Sequence, residues 1–316
     1  MEKLFIIGNG FDLYHELPST YWNFKMFLQY VRNPIVIGNT KYSTFISTHS
    51  MSNEERARHN FHDALTKYIE ADELWSNFEH ALGNLDYYSV RDNNDEHLVS
   101  TYSEEFKDRD NHGYQVVIED ELKFYKSISL HLHEWIKMLN LVHIKSVLNL
   151  QNENSIYITF NYTNTLQRLY NISGKRISHI HGDVASSNLV CGHGDCNISV
   201  VNNSEDYNDF REREADEHIQ NYFNSTYKDT RQIILKNSYL WNQLGHIREI
   251  HVMGHSLSPV DLAYFQHVHS LTHHNTPTWF FTYYHDDEIS SHMQTLIRLG
   301  IPVTSISPVK MESYLK

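Results

Sequence analysis

Cysteine is nearly missing from this 316-residue chain, which carries only Cys191 and Cys196. Two thiols cannot build a disulfide framework, and they are two short of a structural four-cysteine zinc site. Long apolar runs are missing too. None approaches the ~20 residues of a membrane span, so no membrane partner is expected. Basic charge is scarce, with 26 Lys and Arg against 39 Asp and Glu and a net charge of −13. That balance gives no general attraction to nucleic acid or anionic membrane, so a bound nucleotide would have to be held by local geometry. Strand-like sequence from Leu4 leaves no room for a secretory signal, and a reducing cytoplasm is the expected location. Internal repeats and low-complexity tracts are also absent.

What is present is globular in composition, with 40% apolar and 21% charged residues. Histidine is frequent at 23, but it is scattered and forms no HExxH or similar ligand pattern, so no metal is expected. The opening LFIIGNG reads as a buried strand running into a turn. Tyr21, Phe24, Phe27, Leu28 and Val31 then have helical spacing, with Ser19 or Thr20 as cap. A loop over 34–54 precedes one helix with Phe61, Leu65, Tyr68 and Ile69, and another with Trp75, Phe78, Glu79 and Leu82. Residues 86–115 read as an exposed connection, and Ile128, Leu132, Trp135, Ile136, Leu139 and Val142 form a helical stripe.

Strand-like runs at 155–160, 176–181, 249–254 and 278–284 alternate with helices. The pattern predicts one α/β domain over 1–316 with a mostly parallel, Rossmann-like sheet. Large helical insertions fall at about 34–150 and 202–246, the second expected to pack over the sheet's edge.

Four segments at strand ends carry the polar chemistry. In Gly8-Asn9-Gly10 the backbone amides can approach a phosphate unobstructed. A dehydrogenase fingerprint would place Gly or Ala at 13, where Leu13 stands; the plain alternative is a tight turn with Asp12 capping a helix. Asn161, after the strand at 155–160, can donate to and accept from ribose hydroxyls or cap the helix bearing Leu166 and Leu169. In His179-Ile180-His181-Gly182, alternation puts both imidazoles on one face and Gly182 permits close approach. Gly254-His255-Ser256 offers amides and a hydroxyl to a second phosphate, or a turn and N-cap. Glu79, among Trp75, Phe78 and Leu82, reads as a pocket residue or the partner of an internal Arg.

Taken in order, IIGNGFDL, WSNFEHAL, ITFNYTNTLQRLY, ISHIHG and VMGHSLSPVD resemble the AbiH family of bacteriophage abortive-infection proteins over most of the chain. That family is in turn similar to the sirtuin-like superfamily, whose members bind NAD. The resemblance implies that Asn161 and His181 are a catalytic pair. It also implies that Gly8, Asn9, Gly10, Phe11, Asp12, Gly182, Gly254, His255, Ser256 and Thr282 surround the cofactor. The paired CxxC ribbon of protein-deacylating sirtuins is missing, which directs the expectation to NAD cleavage rather than deacylation. The expected function is an anti-phage effector that hydrolyses NAD. A module that binds NAD or ADP-ribose without cleaving it and signals through a partner is the alternative from another class, and a metal-dependent nuclease is a third. The insertions are the expected sites of homo-oligomer or regulatory contacts.

Overall fold

Leu4-Phe5-Ile6-Ile7 has no polar face, the pattern of a strand covered on both sides, and it forms β1 (Lys3–Ile7) inside a six-stranded sheet. The computed structural model describes residues 3–29, 51–139, 145, 147–150, 154–186, 189–200 and 209–315. Residues 34–50 of the loop expected at 34–54, Val31, Val142 and the expected insertion boundaries at 34 and 202 lie outside the described residues, and a helix already begins at Asn53.

After β1 come α1 (Asn9–Tyr14), α2 (Tyr21–Gln29), α3 (Asn53–Tyr68), α4 (Ala71–Ser76), α5 (Phe78–Ala81), α6 (Tyr87–Asp92), α7 (Gly113–Leu122) and α8 (Ile128–Leu139). β2 (Ser155–Thr159), α9 (Thr165–Tyr170) and β3 (Ile177–His179) follow. Then α10 (Phe210–Thr226), α11 (Thr230–Lys236) and α12 (Ser238–Trp241) lead to β4 (Glu249–Met253). Next are α13 (Leu262–Thr272), β5 (Thr278–Tyr283), α14 (Glu288–Arg298) and β6 (Ile306–Lys310). The strand order is β3-β2-β1-β4-β5-β6 with every pair parallel. This is the 3-2-1-4-5-6 order of doubly wound dinucleotide-binding sheets, whose direction of winding reverses between β1 and β4. The expected α/β sheet with helical insertions is therefore the observed fold.

Alternate residues of the central strands face two apolar cores. Leu4, Ile6, Ile158 and Val252 pack with Tyr264, Phe265 and Val268 of α13 and Leu296 of α14. Phe5, Ile7, Tyr157 and Met253 pack with Phe11, Leu166 and Tyr170. A third core belongs to the helical layer, where Phe24, Leu65, Phe78, Ile118 and Leu132 meet Ile219 and Tyr222 of α10. Fully burying side chains such as Phe24 and Phe78 contributes roughly 1.5–3 kcal/mol each.

The second insertion therefore divides. α10 packs into the core of the first insertion, while α11 and α12 join the sheet-side core through Ile233, Ile234, Leu240 and Trp241. The junction is also polar: Arg211 of α10, 1% exposed, donates to the carbonyls of Asp110 at 3.0 Å and Val99 at 2.9 Å and pairs with Asp209 at 2.6 Å. Residues 86–115 are accordingly no open connection. They contain α6, whose Val90 is buried, and turns anchored by Arg211. The helix expected to carry both Trp75 and Glu79 is broken at Asn77 (φ −145°, ψ 72°) into α4 and α5. Thr20 supplies the cap of α2, accepting from the Asn23 amide at 3.2 Å, while the Ser19 hydroxyl donates to Asn9 Oδ1 at 2.6 Å.

At the reversal point the turns after β1 and β4 interlock. A Cβ on Gly254 (φ +62°) would lie 2.2 Å from the Phe11 nitrogen and 2.5 Å from the Gly10 carbonyl carbon. Gly254→Ala is therefore expected to lower stability by about 2–4 kcal/mol, combining left-handed strain with backbone overlap. Gly174→Ala, with nothing within 4 Å, should stay within about 0.5 kcal/mol. Urea unfolding of the two variants checks this, and equal stabilities would contradict it.

Candidate active site

The carboxyl ends of the strands open into a cavity of about 1330 Å³, ample for a dinucleotide. Its floor is the ends of β1, β2, β4, β5 and β6, and its opposite wall includes Tyr21, Trp75 and Trp135 of the helical layer. Of the residues expected around the ligand, Gly8, Asn9, Gly10, Asp12, Asn161, His181, Gly254, His255, Ser256 and Thr282 all line this one space, and Glu79 joins them. Phe11 and Gly182 do not. Phe11 is fully buried in the core beneath α1, and Gly182 (φ +84°) is required by the backbone of its turn.

The glycine turns act differently from the expectation. The Gly8 amide donates to the Met253 carbonyl at 2.9 Å and the Gly10 amide to the Gly254 carbonyl at 2.7 Å. The Gly254 amide donates to Thr282 Oγ1 at 2.8 Å. These three N–H groups lock strand ends together and do not point at a phosphate. A Cβ on Gly8 would sit 2.6 Å from the Gly254 oxygen, so close approach of backbone to backbone is what demands glycine here. Asn9 uses its side chain on the 19–20 turn, donating to the Ser19 carbonyl at 2.9 Å. Leu257 (φ +53°) adopts a strained left-handed conformation that turns His255 and Ser256 to the cavity.

Asn161 caps no helix, because α9 starts from Asn164. Its Nδ2 donates to the Gly8 carbonyl at 3.0 Å, which fixes the amide orientation and leaves Oδ1 as the acceptor for a ligand hydroxyl. Behind it, His179 Nδ1 meets the Asn161 carbonyl at 3.1 Å and Nε2 meets Gln167 at 2.8 Å. His179 thus braces Asn161 from outside the cavity. The expectation that His179 and His181 share a face fails because β3 ends at His179 and the alternation stops there.

Asp12 is no cap either; Gly8 holds that position and makes no side-chain bond. Its Oδ2 accepts from Thr163 Oγ1 at 2.5 Å, while Oδ1 is buried without a partner. Burial pushes its pKa up to about 6, against the pull of hydrogen bonds from Thr163, Thr165 and Asn161. A carboxyl so poised near neutrality is suited to proton transfer.

A buried charge cluster lies deeper. Lys228 Nζ, with its side chain wholly buried, contacts Glu79 Oε2 at 2.9 Å and Asp261 Oδ1 at 3.0 Å. Asp261 in turn faces His181 Nε2 at 3.6 Å and His255 Nε2 at 3.6 Å. Burial, reinforced by the Lys228 charge, pushes His181 down to about 3. His255 is held at about 4, chiefly by burial. Both rings are neutral at pH 7, so their contacts with Asp261 are dipolar rather than ionic. Glu79 is thus a cavity residue, and its internal partner is Lys228 rather than the expected arginine. Lys228 carries no sequence signal, whereas Asp261 ends the segment VMGHSLSPVD. Among the described residues no group of three His, Cys, Asp or Glu side chains is placed to hold a metal ion, and no helix is long and apolar enough to cross a membrane.

A sequence model described as "Bacteriophage abortive infection AbiH" matches residues 4–283. No curated protein and no solved structure matches the chain.

The Asp12 environment has a measurable consequence. Its folded-state pKa of about 6 lies above the ordinary 3.8, so the stability it contributes is fully present below pH 3.8 and is lost as pH rises through about 6. The difference corresponds to about 3 kcal/mol. Asp12→Asn, which keeps an acceptor for Thr163 but cannot ionise, should gain up to about that much relative to the parent between pH 4 and pH 7. Urea unfolding across this range tests it, and a difference that does not change with pH would contradict it.

Proposed function

The chain belongs to the AbiH family of bacteriophage abortive infection proteins, and from that premise we propose that it binds NAD and hydrolyses the nicotinamide glycosidic bond during infection. The observation that carries this reading is the convergence of Asp12, Asn161 and His181 on one cavity at the β1–β4 reversal of a 3-2-1-4-5-6 sheet, where such sheets hold dinucleotides.

The chemistry asks for little. When the C1′–N1 bond of NAD breaks, its electron pair neutralises the pyridinium, so nicotinamide leaves without needing a proton. Water adds to the oxocarbenium-like ribose and gives up one proton. The site therefore needs a group to orient the ribose and one base. Asn161 Oδ1 would hold a ribose hydroxyl. Asp12 and His181 are both in proton-accepting form at pH 7. Asp12 is the stronger base in the unliganded cavity, and its carboxylate would also face the developing positive charge at C1′. His181 would accept a hydrogen bond from a ribose hydroxyl or from the water. At the β5–β6 end, Tyr283, Tyr284 and Lys310 offer aromatic faces and a cation to the adenosine half. With the amides of Gly8, Gly10 and Gly254 engaged, the pyrophosphate would rely on the His255–Ser256 turn.

Purified protein incubated with NAD, alone and with phage lysate, should release nicotinamide and ADP-ribose in at least one condition. Asn161→Ala and His181→Ala should each lower turnover by roughly 10²–10⁴-fold. Turnover by both variants equal to the parent, or no product from the parent in either condition, would sink the hydrolase reading. Tight binding without product would favour the sensor.

A further inference from the structure

The buried cluster of Glu79, Lys228 and Asp261 at the cavity wall has no part in the scheme above, yet it is costly. Two carboxylates and an ammonium removed from water are tolerated only when each is closely partnered. Its members come from three parts of the chain. Glu79 belongs to α5 of the first insertion, Lys228 lies between α10 and α11 of the second, and Asp261 stands at the start of α13 against the sheet. The Lys228 main chain is fixed as well, its amide donating to the His193 carbonyl at 2.8 Å. Asp261 is thus clamped from one side by a lysine that cannot move freely.

On its other side Asp261 meets two imidazoles. For His255 the tautomer follows from the neighbouring backbone: the Leu257 amide donates to Nδ1 at 2.9 Å, so the neutral ring carries its proton on Nε2, towards Asp261 Oδ2. His181 presents Nε2 to Asp261 Oδ1 at 3.6 Å, with no closer polar partner for that nitrogen. Its ring is wedged edge-on against Phe160 at 5.2 Å and Tyr264 at 5.8 Å between centroids, which limits rotation.

We propose that Asp261 is the positioning residue for His181, holding the imidazole proton on Nε2 so that Nδ1 is the basic nitrogen, while Lys228 and Glu79 hold Asp261 in place. At 3.6 Å the contact is longer than a hydrogen bond, and the buried carboxylate biases the tautomer through its charge across that gap. Since Glu79 and Lys228 belong to the two insertions, the orientation of the imidazole is tied to how both dock on the sheet. The inference rests on His181 serving the reaction proposed above.

Long-range ¹H–¹⁵N spectra of histidine-labelled full-length protein, with the His181 signals assigned by their loss in His181→Gln, read the tautomer without any nucleotide. The ring should be predominantly the Nε2–H form in the parent. In Asp261→Leu, which leaves Lys228 and Glu79 as a balanced pair, the form should become mixed. With NAD, Asp261→Leu should lower kcat by about 10²–10⁴-fold with KM changed less than threefold. A predominantly Nδ1–H ring in the parent would overturn the proposal, as would an Asp261→Leu protein with unchanged tautomer and kcat. If Asp261→Leu does not fold, the parent spectrum alone decides. A parent that never releases nicotinamide refutes the hydrolase reading while the tautomer measurement still stands.

Discussion

The site depends on backbone meeting backbone where the sheet reverses its winding. Gly254 lies against Gly8 and Gly10 with no room for a Cβ on any of them, and the amides of Gly8 and Gly10 bond across to the end of β4. Asn161 brings in the end of β2 through the Gly8 carbonyl, and Thr282 brings in β5 through the Gly254 amide. Four strand ends are thereby stitched together by short polar contacts. The cavity floor is consequently fixed main chain, and Asp12, Asn161 and His181 are held at set positions on it.

Charge is arranged to the same end. Burial keeps His181 and His255 neutral and makes Asp12 a carboxyl that titrates near neutrality. The single interior cation of this cluster, Lys228, is divided between Glu79 and Asp261. Such a cluster contributes little net stability, since desolvation offsets most of the attraction, but removing Lys228 strands two buried carboxylates and is strongly destabilising. It ties three chain segments together: α5, the α10–α11 connection and the start of α13.

Much of the architecture can be read from the sequence because the central strands are mainly apolar and glycine turns mark the ends of β1 and β4. β6 escapes a reading of the sequence because Ile306-Ser307-Pro308-Val309-Lys310 carries a proline and alternates poorly, both of which an edge strand tolerates. The role of α10 escaped because its buried stripe contains Arg211 and Asp216 among apolar residues. Within the site, residues at strand ends were legible as chemistry, but not what engages them. The glycine turns suggest a phosphate site, but their amides bond to backbone and to a threonine. The alternation that pairs His179 with His181 ends with the strand. Lys228 was invisible because its partners, Glu79 and Asp261, lie 149 and 33 residues away, and pairing over such separations leaves no local pattern.

The central claim is that one NAD molecule lies across the β1–β4 reversal with its nicotinamide ribose between Asp12, Asn161 and His181. The most direct measurement is a crystal structure of the His181→Ala protein soaked with NAD. The account predicts an intact dinucleotide along the strand ends, its ribose hydroxyls bonded to Asn161 and its C1′ carbon facing Asp12. A nucleotide bound elsewhere, or an empty cavity at saturating NAD, would contradict it.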